Sequence, residues 1–194
     1  MIKRIVLGTA LILSVLASTA FAQGSSGYYR GEFGVFVDYT RLQYTDDANL
    51  YGAGGRFGFN VLPRLQVEGE AAYDFTRTVN LDNGSTGSPI GGLRTTHFLF
   101  GPKFQLGKKV CVFATLKGGL VNFTPKKNYG GVTDSFDGNT DAAIYPAGGV
   151  EAFAGWLGMR FELGDEIHIG YGGSSIHVSR SNNLRATLGP AFRF

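Results

Sequence analysis

His177-Val178-Ser179 places a base and a hydroxyl two residues apart. In an extended chain positions i and i+2 share a face, so the imidazole could take the Ser179 proton and activate the oxygen. That is hydrolase chemistry, with His177 and Ser179 as the candidate catalytic pair. The surrounding stretch is polar and also reads as a loop carrying a chance His and Ser. Ser179 to Phe194 contains no Asp or Glu to orient the imidazole. His97 and His168 lie far apart in sequence and have no metal-ligand spacing. The single cysteine, Cys111, rules out an internal disulfide framework and a Cys-rich metal site. It reads as a buried or lipid-facing small residue. Gly52-Ala53-Gly54-Gly55 is not followed by a phosphate-binding helix and reads as close packing. The sequence therefore predicts no cofactor and no metal, and the expectation is a protein that is not an enzyme.

A second set of chemically capable residues is larger and more regular. Glu32, Asp38, Glu68, Glu70, Asp74 and Glu151 recur at alternate positions opposite aliphatic or aromatic residues. Arg56, Lys103, Lys117, Arg160, Arg185 and Arg193 do the same, with Glu162 and Glu166 beside them. Charges of both signs on one face of many strands can pair, whereas an unpaired buried charge costs several kcal/mol. The predicted chemistry is an internal charge network. It reads either as a solid polar plug or as a narrow ion path, and the small number of strands favours the plug.

The elements that would position these charges are strands. Leu184 to Phe194 has period two: Leu184, Ala186, Leu188, Pro190, Phe192 and Phe194 on one face, Arg185, Thr187, Gly189, Ala191 and Arg193 on the other. The pattern repeats over 30–41, 50–61, 65–75, 93–106, 142–154 and 159–169. Residues 110–123 are mixed in phase, which allows a bulge. Leu62-Pro63-Arg64, Gly107-Lys108-Lys109 and Gly155-Trp156-Leu157-Gly158 are short turns. Long loops are expected at 42–49, 77–92, 125–141 and 169–182. Eight strands, three short turns and four long loops place both termini at the short-turn end. Together these predict an all-β, eight-stranded antiparallel up-and-down transmembrane barrel with its apolar face to lipid and its charged face to the lumen.

Composition agrees. Of 194 residues, 30 are Gly and 13% are aromatic, a balance that suits a barrel with aromatic girdles and disfavours helix. Trp156, Tyr28, Tyr29 and Tyr171 are candidates for those girdles. The net charge of +3 includes Lys3 and Arg4. Those two residues begin a leader: a basic start, an apolar run from Ile5 to Ala17, and Ala20-Phe21-Ala22 as a small-x-small site. The run is shorter than the roughly 20 residues a spanning helix needs. The domain reading is thus a signal peptide at 1–22 and a barrel at 23–194. The remainder is almost neutral and has no basic stripe, which excludes nucleic acid as a partner.

The leader, the strands, the stretch from Arg160 to Glu166, and Asn183-Leu184-Arg185 through Gly189 to Phe192-Arg193-Phe194 together resemble the small outer-membrane β-barrel domain family. That family includes the membrane domain of OmpA and OmpX. The resemblance implies residence in a bacterial outer membrane and contact with outer-membrane lipid and lipopolysaccharide. It also implies recognition of the terminal strand, with Phe192 and Phe194 as the assembly signal, by the barrel assembly machinery. It does not imply one activity. A structural role in envelope integrity or a surface interaction with an unidentified ligand is expected. The alternatives are an adhesin, a small porin-like channel, and a lipid A-modifying hydrolase. His177-Val178-Ser179 resembles the His-x-Ser element of the outer-membrane lipid A deacylases, but Arg180-Ser181 intervene before Asn182, where that family places Asn directly after Ser.

Overall fold

The computed structural model describes residues 29–42, 48–80, 90–126, 139–172 and 175–194, without the side chains at some strand ends. The proposed signal peptide lies outside the described residues. Eight strands are present: β1 (Gly31–Leu42), β2 (Ala48–Leu62), β3 (Leu65–Asn80), β4 (Ile90–Gly107), β5 (Val110–Lys126), β6 (Asn139–Ala154), β7 (Leu157–Gly172) and β8 (Ser175–Arg193). Each pairs antiparallel with its neighbour in sequence, and β1 pairs with β8 to close the barrel.

Alternation creates two environments. In β1, Phe33, Val35 and Val37 are exposed on the outside, while Glu32, Asp38 and Thr40 are buried inside. The same holds around the wall, with Phe57, Phe98, Phe100, Leu116, Leu120, Val150, Phe161 and Leu188 facing outward. An apolar exterior around a buried polar interior inverts the arrangement of a water-soluble protein. It is the arrangement of a closed sheet in lipid, where every backbone group must be satisfied by a neighbouring strand.

Three two-residue connections join β2 to β3, β4 to β5 and β6 to β7 at one end. Gly107 and Gly155 take φ of 121° and 70° there, a left-handed backbone that glycine adopts without a Cβ clash. The start of β1 and the end of β8 meet at this same end. Arg30 and Gly31 donate backbone N–H groups to the Phe194 carbonyl at 2.8 and 3.0 Å, and Phe194 N–H donates to the Gly31 carbonyl at 3.0 Å. The last residue is thus paired into the sheet.

Two expectations are corrected. β5 has no bulge: it keeps one register with β4 and one with β6, and Cys111, Phe113, Thr115, Lys117 and Val121 all face inward. Its mixed sequence phase arises because Phe113 and Val121 are apolar residues inside the lumen. The register irregularities fall instead at Asn60/Leu62, Asp74/Arg77 and Glu166/His168. Second, 169–182 is not a long loop. The β7–β8 ladder continues through Ile169↔Val178 and Gly170↔His177 to Gly172↔Ser175. Backbone pairing does not require the alternating apolar signal that lipid imposes, so the strands run on past the apolar pattern.

Candidate functional site: the charged lumen

The inward face of the barrel carries eight buried acids: Glu32, Asp38, Glu68, Glu70, Asp74, Glu151, Glu162 and Glu166. Against them stand six buried Lys and Arg side chains, Arg56, Lys103, Lys117, Arg160, Arg185 and Arg193. They come from all eight strands, and each is inward because of its parity.

At the short-turn end Arg193 of β8 donates from Nε to Glu32 at 3.2 Å and from Nη2 to Glu151 at 2.7 Å. Lys103 joins the same two carboxylates at 3.2 and 2.5 Å. One rung on, Arg160 of β7 donates to Glu68 and to Glu162 and lies 3.4 Å from Glu151. Lys117 of β5 reaches Glu68 at 2.8 Å and Glu162 at 2.9 Å, and also pairs with Glu70. Arg56 of β2 donates to Glu162 at 3.3 Å and to the Thr187 hydroxyl at 2.8 Å.

Towards the loop end Arg185 of β8 grips Asp38 of β1 and donates to Glu70 at 2.6 Å. A chain of four groups follows. His168 Nε2 meets Glu166 at 2.8 Å, Glu166 meets His97 Nδ1 at 2.9 Å, and His97 Nε2 meets Asp74 at 2.9 Å. Both His97 nitrogens therefore face carboxylates. Asn183 Nδ2 donates to His168 Nδ1 at 3.3 Å, which makes that nitrogen an acceptor and leaves Nε2 to donate to Glu166. Two histidines 71 positions apart in the chain share one carboxylate, a relationship invisible in their spacing.

The cations also rest on inward aromatic rings. The Arg193 guanidinium lies 3.4 Å from the Phe153 ring centre, Arg56 4.2 Å from Phe36 and Arg160 4.3 Å from Phe113. Lys117 and Arg185 share Tyr145 at 5.5 and 5.2 Å. Each contact adds attraction between cation and ring face. Glycines make the room: a Cβ at Gly54 would strike Phe36, one at Gly149 would strike Phe113, and one at Gly164 would strike Tyr145. Sequence reasoning missed these rings as a set. Their signal is an aromatic residue in the parity of the charges, with Gly on the adjoining strand.

His177 and Ser179 both lie on β8, opposite Gly170 and His168 in the ladder, and their side chains fall outside the described ones. Cys111 is buried, and its sulfur is 3.9 Å from both terminal nitrogens of Arg193. At the seam Phe192 stacks on Phe33 at 6.4 Å and on Trp156 at 5.8 Å, and Phe194 packs on Phe57 at 6.2 Å. These rings lie on the outer face beside the terminal backbone pairing.

The closed sheet, the apolar outside and the charged inside define an eight-stranded transmembrane β-barrel. Solved structures share this fold. OprG, an outer membrane protein of Pseudomonas aeruginosa, superimposes with a TM-score of 0.60 at 13% identity, over 87% of this chain and 98% of that chain. Ail, the attachment invasion locus protein of Yersinia pestis, solved with the heparin analogue sucrose octasulfate, gives 0.55 at 14% identity, over 85% and 99%. Neisserial surface protein A gives 0.54 at 12% identity, over 89% and 100%. No family model and no curated protein matches the sequence. At such identities the likeness is one of fold.

Proposed function

We propose that this chain is an integral protein of a bacterial outer membrane, exported by the leader at residues 1–22. Its barrel is sealed by paired charge, and it serves a structural role in the envelope while holding its loops at the cell surface. The observation that carries this reading is the buried network running from Arg193 and Glu32 at one end to His97 and Asp74 at the other. An eight-stranded barrel encloses a space that side chains can fill, and here they are large, charged and mutually bonded. An ion entering would have to part several desolvated pairs.

The same reading gives the exterior its partners. The outward Phe, Val and Leu side chains meet outer-membrane acyl chains, and the outer rim meets lipopolysaccharide. Phe192 and Phe194 on the last strand act as the segment read by the barrel assembly machinery. Outer-membrane fractionation with heat-modifiable gel mobility tests location and fold together. Planar-bilayer recordings test the seal: no discrete steps are expected, and regular unitary steps would establish a channel instead. Unchanged lipid A acylation in Ser179→Ala is the expected result for a protein that is not a hydrolase.

A further inference from the structure

We propose that the loop end of the lumen holds a divalent transition-metal ion, bound by Asp38, Asp74 and His97 within the same charge network that carries the sealing reading. One ligand atom from each of these three buried side chains lies within 4.8 Å of the other two. Two bonds of about 2.0–2.2 Å to a shared ion span at most about 4.4 Å, so the three side chains close together by a rotamer adjustment when the ion binds.

Four observations point to a ligand here. The Oδ1 atom of Asp74 is buried and makes no hydrogen bond. It points over Gly52, where a Cβ would collide with it, and Gly52 is the ladder partner of both Asp38 and Asp74. The free oxygen therefore occupies the gap between the two aspartates. The hydroxyls of Thr95 and Thr40 are likewise buried without a partner. Thr95 is opposite Asp74 in the ladder, and Thr40 is two residues from Asp38 on the same inner face. Buried polar atoms are nearly always satisfied, and Asp74 Oδ1 with the hydroxyls of Thr95 and Thr40, on strands at the same end of the lumen, are three that an occupant would satisfy.

Charge and donor chemistry select its class. Among the described residues the buried acids outnumber the buried Lys and Arg by two before His97, which faces a carboxylate from each nitrogen, is counted; a divalent ion that replaces a His97 proton leaves the interior balanced. An imidazole with two carboxylates suits zinc, iron, copper or nickel better than calcium or magnesium, which take oxygen ligands. The ion takes the His97 Nε2 lone pair, and the proton that nitrogen shares with Asp74 leaves to solvent. Glu166 stays on Nδ1 and fixes the ring, as partners of metal-bound histidines do. Arg185, released in part from Asp38, keeps Glu70 at 2.6 Å.

The test uses the full chain purified from membranes in detergent, stripped with chelator and equilibrated with Zn2+ alone. One Zn2+ per chain is expected, together with a large shift of the His97 Nε2 resonance in the unmodified protein. Asp74→Asn and His97→Gln should each weaken binding by about tenfold or more while heat-modifiable mobility is kept. His168→Gln should retain the metal. If the variants fail to fold, the His97 resonance of the unmodified protein decides. A folded protein that takes up no stoichiometric Zn2+, an unshifted His97, or uptake unchanged in both ligand variants overturns the proposal and leaves water as the occupant.

Discussion

Arg185 on β8 grips Asp38 on β1 from two nitrogens, Nε at 3.0 Å and Nη2 at 2.7 Å from the same carboxylate oxygen. The two strands also form the ladder that closes the barrel, with Asp38 opposite Thr187 and Thr40 opposite Arg185. The seam between the first and last strands is thus joined twice, by backbone in the wall and by charge inside it. The strands it joins are the furthest apart in sequence, so this pair acts on the contact with the greatest loop-closure entropy.

Removing one member of this pair leaves the other buried and charged. Asp38→Ala should lower the stability of the folded barrel by about 3 kcal/mol. The double variant with Arg185→Ala should lose less than the sum of the single losses. Urea titrations of protein in lipid vesicles, read by Trp156 fluorescence and gel mobility, give the coupling energy. Strictly additive losses would show that Arg185 and Asp38 do not stabilise each other.

Gly189 of β8 approaches β1 so closely that a Cβ would strike the Val35 carbonyl and lie 2.6 Å from the Phe36 Cα. Gly189→Ala should therefore destabilise the barrel by about 1–3 kcal/mol, the usual cost of overpacking. Gly55→Ala is the control: it points outward, and its Cβ would meet nothing nearer than the Gly34 carbonyl at 3.7 Å. Equal folding yields of the two variants would contradict this account of the seam.

Tyr145 presents its ring to Lys117 and Arg185 but leaves its buried hydroxyl without a partner. Tyr145→Phe keeps the ring and removes the unsatisfied oxygen, so stability should stay within about 0.5 kcal/mol or rise. Tyr145→Ala should cost about 3–5 kcal/mol through the cavity and the lost ring face. Equilibrium unfolding of both variants separates the ring from the hydroxyl, and a large loss in Tyr145→Phe would mean that the hydroxyl is bonded.

Phe100 faces outward and is 65% exposed. If that face meets acyl chains, Phe100→Arg should cost about 2–4 kcal/mol near the bilayer centre. In a water-soluble sheet the same change would be almost neutral. Comparing unfolding in bilayers of different thickness checks the depth.

Deleting Phe194 removes the carbonyl that accepts from Arg30 and Gly31 and the ring beside Phe57. Outer-membrane yield in cells should fall more than stability measured after refolding in detergent. Parallel losses in both would assign Phe194 a packing role alone.

The strands were legible because lipid and lumen act on each one separately. In β1 and β3, Val35 and Val67 face outward while Glu32 and Glu68 face inward. Where an inward residue is apolar, as at Phe113 and Val121, the alternation blurred and suggested a bulge that β5 does not have. The β7–β8 hairpin extending to Gly172 and Ser175 was hidden for a related reason: backbone pairing sustains it without an apolar stripe.

The parity of most lumen charges is written in each strand, since the face a residue takes depends only on its position in its own strand, while Lys117 and Glu151, on β5 and β6, gained a definite face only from the structure. Tertiary structure alone decided which charges meet. Arg160 joins Glu68 across 92 residues, and His97 joins Glu166 across 69. Those pairings follow from the register of eight strands around a closed circle. Register is a relation between strands, and no single strand contains it.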